Sequence, residues 1–220
     1  MASAVIHLAV AKALEKELKI TNKKDYYLGS IAPDIAKQIG KTKQKSHFLY
    51  NEKEDVPNIK MFTDKYPNFM EKSFDLGYYI HLFADKLWFD KFLRKLVQSN
   101  SVKLIDGTIV YSDQEELSKL IYSDYTNLNI TVIEEYNMDL SLFYEEFQIP
   151  DTNITEIPKE KLNILIDKMG IIIENSNQDK NYIFDIYLIK EYIQETKERI
   201  LQELKNYEQE NNVSIPVDRN

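Results

Sequence analysis

The chain has 220 residues, enough for a sizeable core, and 43% hydrophobic with 12% aromatic residues excludes intrinsic disorder. Lys and Arg number 28 against 36 Asp and Glu, a formal charge of -8 that removes any bulk electrostatic case for nucleic-acid binding. The absence of Cys removes disulfides, thiolate zinc sites and Cys nucleophiles, and 5 Gly with 6 Pro argue against a turn-dense β protein.

From Ser3, the run Ser-Ala-Val-Ile-His-Leu-Ala-Val-Ala-Lys-Ala-Leu predicts a helix capped by Ser3. Its first turns are apolar on nearly every side, so it is expected to be buried with His7 inside. The apolar stretch 4–14 is interrupted by Lys12 and lacks a preceding basic region, which makes it a poor signal peptide and too short to span a membrane. No later stretch reaches spanning length, and the expected location is the cytoplasm. Residues 25–34 predict a short helical segment with a break at Pro33, because a residue before proline is pushed out of the α region. Residues 40–67 read as irregular, with the Lys-rich run 41–45 as a solvated loop. A helix is expected from about Asn68 and a stronger one over 73–97, where Leu76, Tyr79, Ile80, Phe83, Leu87, Phe92, Leu93 and Leu96 keep helical spacing.

Residues 99–107 read as a loop, with a brief extended piece at 108–110. Ser112 or Asp113 caps the next helix, and two shorter helices are expected over 126–136 and 139–147. After a loop at 150–158, helices follow over 159–174 and 182–210, and the tail from Asn211 is expected to fray. The fold class is all-α, a multi-helix globular bundle forming one domain over 1–210, with 148–158 as the one plausible seam.

The only histidines are His7, His47 and His81. His81 and Asp85 are four apart on the strongest helix, so they share one face and can converge on a cation. Gly77 and Trp88 extend that stripe, Gly77 admitting a close neighbour to the helix backbone and Trp88 walling the site. Each piece has an ordinary reading: His7 as a core histidine, Asp34 as a helix cap, and His81 with Asp85 as an orienting pair. Together they carry more weight, because buried imidazoles and carboxylates need partners. Asp124 offers a further oxygen ligand, although capping is the commoner role for such a residue. Lys45 and Lys86 neighbour the candidate ligands and are ordinarily solvated. The sequence has no Gly-rich phosphate loop and no nucleophile elbow.

The ordered motifs are His7 on the first helix, Tyr-Leu-Gly-Ser-Ile-Ala-Pro-Asp34, Ser46-His47-Phe48 and Leu-Gly-Tyr-Tyr-Ile-His81-Leu-Phe-Ala-Asp85. Together they resemble the zinc-dependent phospholipase C-like family over roughly the first 90 residues. The resemblance implies an all-α fold and a metal cluster held by His7, Asp34, His47, His81 and Asp85, with Asp85 bridging two ions. It further implies phosphoester hydrolysis by metal-bound hydroxide, with Asp34 or Asp85 as the catalytic proton acceptor. The secreted phospholipases continue with another His and a His-x-x-x-Glu pair, whereas this chain has no His after His81. One or two divalent ions are therefore expected rather than three: zinc first, manganese or iron as alternatives. The expected partner is a small phosphoester, with no nucleic acid and no integral membrane segment; the oligomeric state stays open. Competing readings are a non-catalytic helical module with a structural metal, an interaction protein using its long C-terminal helix, and an HD-type phosphohydrolase. The last lacks its adjacent His-Asp pair here, since Leu8, Phe48 and Leu82 follow the histidines.

Overall fold

The computed structural model describes residues 2–174 and 181–211. Helix α1 (Ala4–Leu14) opens on Ser3, whose hydroxyl oxygen accepts from the Ile6 N–H at 3.2 Å. Helix α2 (Lys23–Ile31) ends two residues before Pro33. The proline begins a new turn rather than closing the old one. Ala32–Asp34 is a 3-10 turn with Pro in its first positions, where the missing N–H costs nothing, and it runs into α3 (Ile35–Gln38).

After α3, a helical turn carries His47 and closes as a Schellman motif. The Phe48 N–H donates to the Lys45 carbonyl at 3.2 Å and the Leu49 N–H to the Gln44 carbonyl at 2.9 Å. Phe48 sits at φ 54, a left-handed position that costs a bulky residue about 1–3 kcal/mol. Its ring offsets that cost by packing among Phe62, Tyr66 and Tyr78. The reading of 40–67 as irregular needs correction at α4 (Ile59–Lys65), which Asn58 caps by accepting from the Met61 N–H at 3.0 Å. Only Phe62 of this helix is buried, so no apolar periodicity marks it.

The helix expected from about Asn68 is reduced to a 3-10 turn at Phe69–Glu71. The strong helix is α-helical as α5 (Ser73–Leu87), widens to a π turn at Trp88–Phe92, and tightens to 3-10 at Leu93–Lys95. Strands β1 (Val97–Gln98), β2 (Ser101–Lys103) and β3 (Ile109–Tyr111) follow as an antiparallel sheet, with Val102 opposite both Val97 and Val110. Only Ser101 and Val102 of it are buried, so the core stays helical. Helix α6 (Gln114–Thr126) is capped by Asp113, which accepts from the Glu116 N–H at 2.9 Å, and α7 (Asn129–Glu135) follows. Over 139–147 the expected helix reduces to a 3-10 turn at Ser141–Phe143, because the Asp139 carboxylate accepts from the Ser141 N–H at 2.9 Å and substitutes a side-chain turn for a helical one. Helix α8 (Leu162–Glu174) and helix α9 (Ile186–Asn211) complete the chain, and the expected frayed tail beyond Asn211 lies outside the described residues.

Helix α1 has no solvent face and touches α2, α5, α7 and α9. Helix α9 lays Ile189, Tyr192, Ile193, Thr196, Ile200 and Leu204 along one buried stripe against α1 and α5. The 148–158 segment is tied to the first half of the chain. The Thr152 hydroxyl donates to Asp75, and the Tyr66 hydroxyl donates to Glu156 at 2.6 Å. Among the described residues, no helix is long and apolar enough to cross a membrane.

Candidate metal centre

His7 comes from the middle of α1, Asp34 from the 3-10 turn after α2, His47 from the Schellman turn, and His81 and Asp85 from α5. The structure brings all five side chains together. His7 and His47 are 1% exposed, His81 and Asp85 0%, and Asp34 7%.

The α2–α5 crossing sets the first of the imidazoles. A Cβ on Gly77 would lie 2.1 Å from the Tyr26 carbonyl oxygen, and one on Gly29 would lie 2.1 Å from the Phe74 carbonyl oxygen. The neighbour that Gly77 admits is therefore the backbone of α2, and the close approach carries the Ser30 carbonyl to 2.8 Å from His81 Nδ1. A carbonyl only accepts, so Nδ1 holds the proton and the Nε2 lone pair is free. His47 is set by its neighbour: Nδ1 lies 2.9 Å from Ser46 Oγ, whose own hydrogen goes to the Lys43 carbonyl at 3.3 Å.

The two rings meet at these nitrogens, with His81 Nε2 and His47 Nε2 3.3 Å apart. Asp85 Oδ1 lies 3.3 Å from His7 Nε2, while Asp85 Oδ2 lies 3.6 Å from His47 Nε2 and 3.7 Å from His81 Nε2. Asp34 Oδ1 is 3.5 Å from His47 Nε2, and the His7 and His81 rings stack at 3.8 Å. Despite this crowding, both nitrogens of His7, Oδ1 of Asp34 and both oxygens of Asp85 are buried without a hydrogen bond. Each such atom costs about 1–3 kcal/mol if nothing satisfies it.

Burial, reinforced by the nearby His7, pushes the His81 pKa down to about 3, so this imidazole is neutral at pH 7. Burial opposes ionisation of Asp34 and Asp85. The approach of His47 to Asp34 and of His7 to Asp85 outweighs it and holds both carboxyls below their ordinary range. A neutral His81 beside ionised carboxylates is the protonation state that a divalent cation binds. Two triads have ligand atoms within 4.8 Å of one another: His7, Asp34 and His81, and His47, His81 and Asp85. His81 has only Nε2 to offer, so the triads overlap at that atom. Orphaned ligand atoms, converging side chains and the anchored His81 tautomer together fit a bound metal.

Residue type alone does not mark the anchors Ser30 and Ser46. Ser46 stands beside His47 in the sequence, but Ser30 acts through its carbonyl, which leaves no residue-type signal. Asp124 lies away from the centre, and its role is structural. It accepts from the backbone N–H groups of Tyr182 at 2.6 Å, Ile183 at 3.1 Å and Phe184 at 2.9 Å, and from the Asn181 amide at 3.1 Å. Trp88 stacks in the core among Phe92, Tyr125, Phe184 and Tyr192 rather than walling the site. Asp34 forms the edge of the cluster and lines a cleft of about 60 Å³, where the neighbouring cations are Lys37 and Lys168 rather than Lys45 or Lys86.

No curated protein and no solved structure matches the chain. Residues 5–88, the stretch that holds all five side chains and the α2–α5 crossing, match the family model of zinc dependent phospholipase C.

Proposed function

We propose that the chain is a metal-dependent phosphoric ester hydrolase that holds one or two divalent ions on His7, Asp34, His47, His81 and Asp85. The observation that carries this reading is the set of buried, unpartnered nitrogen and oxygen atoms within a stretch similar to a zinc-dependent family. When bound, a divalent ion supplies Lewis acidity, lowering the pKa of a coordinated water toward about 7 and drawing charge from a phosphoryl oxygen.

The protein's own groups divide the remaining work. His47 and His81 present their Nε2 atoms to the centre, with the opposite ring nitrogens held by Ser46 and Ser30. Asp85 directs one oxygen toward His7 and the other toward His47 and His81, which suits it to bridge two ions. Asp34 alone reaches the cleft, so it is the carboxylate placed to accept a proton from an attacking water. Zinc is the first choice of ion, and mixed imidazole and carboxylate ligands also accommodate manganese or iron. The substrate is a small phosphoester rather than a nucleic acid, and the site of action is the cytoplasm.

A structural metal is the second reading. It is favoured by the depth of the centre, where four of the five side chains are no more than 1% exposed. An assay of phosphomonoesters and phosphodiesters with zinc, manganese and iron separates the two. Hydrolysis that is lost in folded Asp85→Asn and His81→Ala variants supports catalysis. A metal-loaded wild type that is inert on every ester leaves the structural reading.

A further inference from the structure

We propose that the outer edge of β3 is a self-association surface, on which two copies of this chain pair antiparallel about a two-fold axis at Val110.

The hydrogen-bond alternation along β3 decides which of its backbone groups are available. The Leu104 N–H donates to the Thr108 carbonyl at 2.8 Å, and the Ser112 N–H donates to the Asn100 carbonyl at 3.1 Å. In an antiparallel ladder every second residue faces its partner strand, so Thr108, Val110 and Ser112 turn their backbone groups to β2. Ile109 and Tyr111 turn theirs outward. No strand lies beyond β3, and among the described residues no other element bonds to those outward groups. Both side chains are open too, Ile109 at 52% and Tyr111 at 69% exposure.

An open strand edge is ordinarily blunted by a charge, a proline, a bulge or a covering segment. The run from Gly107 to Ser112 has no charged residue and no proline, in a chain that is 29% charged. Its register with β2 is regular, without a bulge to twist the edge away.

The strand's own sequence is the complement of this edge. With two copies centred on Val110, Ile109 lies opposite the second copy's Tyr111, and Tyr111 lies opposite the second copy's Ile109. Both are hydrogen-bonded positions, so every outward N–H and C=O of both strands gains a partner. Each pair sets a β-branched side chain against an aromatic ring, a favourable cross-strand combination. The charges agree with this register: Asp113 falls opposite Gly107 and Asp106 opposite Gln114, so no two carboxylates are directly opposed. A shift of two residues in either direction loses the match. Ile109 or Tyr111 then faces its own copy, and the other one faces Gly107 or Asp113. The two-fold pairing uses up the β3 edge of both copies and so closes at a dimer. Two paired strands of this length bury less than the roughly 1,200–2,000 Å² of stable complexes, which makes the dimer a weak one.

The test is sedimentation equilibrium of the full-length protein over roughly 5–500 μM, with zinc content and circular dichroism as checks on folding. Ile109→Lys/Tyr111→Lys changes two exposed side chains and puts like charges opposite each other at both pairs. Ile109→Lys/Tyr111→Glu alters the same positions but puts opposite charges at both pairs in this register alone. The expected result is a wild type whose mass rises with concentration to that of a dimer and stops there. The dissociation constant should rise roughly tenfold or more in the Lys/Lys variant and return to within about threefold of wild type in the Lys/Glu variant at low salt. A wild type that stays monomeric throughout, or a Lys/Lys variant that dimerises as wild type does, overturns the proposal. So does a mass that grows past the dimer, which marks open association, or a Lys/Glu variant as weak as Lys/Lys, which marks a different register.

Discussion

Gly77→Ala adds one methyl at a point where no space exists. The Cβ position lies 2.1 Å from the Tyr26 carbonyl oxygen and 2.9 Å from the Ser30 nitrogen. Both are backbone atoms of α2 with no rotamer to move, so relief requires α2 and α5 to part by about 1 Å. Overpacking of this kind costs about 1–3 kcal/mol, and overlap with rigid backbone places it toward the upper end. Helix propensity opposes the loss, since Ala is favoured over Gly by about 1 kcal/mol. The net expectation is a destabilisation of about 1–2 kcal/mol. Parting the helices also draws the Ser30 carbonyl away from His81 Nδ1, now 2.8 Å distant, and breaks the hydrogen bond that fixes the tautomer. Losing such an outer partner lowers metal affinity about 10–100-fold. Gly170→Ala in α8 is the control, because nothing lies within 4 Å of its Cβ position and propensity should stabilise it. Urea unfolding and zinc titration measure the two effects. A Gly77→Ala protein with wild-type stability and wild-type zinc affinity would refute the link from the crossing to the centre.

Asp124→Ala strands three backbone N–H groups at 182–184 and should cost about 3 kcal/mol or more in urea unfolding while leaving zinc content intact; loss of zinc would show that Asp124 acts on the centre. In the metal-free protein the His81 pKa is about 3 against an ordinary 6.5, so the unfolded chain takes up the proton first and stability falls as pH drops from about 6.5 toward 3. The depressed carboxyls of Asp34 and Asp85 act in the same direction at lower pH, and a urea midpoint that stays flat through this window would contradict the burial of neutral His81. Phe48→Ala removes a ring packed on Phe62, Tyr66 and Tyr78 while keeping the strained φ, so a loss of about 3–5 kcal/mol is expected in thermal or urea unfolding. A loss under 1 kcal/mol would mean that the turn carrying His47 does not depend on that ring.

What the sequence made legible follows from which features act through side-chain type and periodicity. Helix α5 was readable because its apolar residues repeat at helical spacing, and α1 because an apolar run with no polar face can only be buried. His81 and Asp85 were readable as a pair from that same spacing, and His7, Asp34 and His47 joined them through the order of motifs. Features shorter than a period stayed hidden. Helix α4 buries one residue, and β1 and β2 run two and three residues, too few to alternate visibly, whereas the extended piece expected at 108–110 is β3. The Schellman turn at Phe48 lacks the glycine that usually marks one, because aromatic packing holds a conformation that local preference disfavours. The Ser30 anchor depends on the close approach of two helix backbones, which only coordinates reveal.

The central claim is that His7, Asp34, His47, His81 and Asp85 hold a divalent ion. Elemental analysis of protein purified without added metal, repeated after chelation and after zinc addition, with a melting curve at each stage, tests it most directly. The account predicts one or two divalent ions per chain, zinc foremost. It further predicts a melting temperature that falls on chelation and recovers with zinc, and loss of metal in His81→Ala. A folded chain that takes up no zinc, with a melting temperature indifferent to chelator, would contradict it.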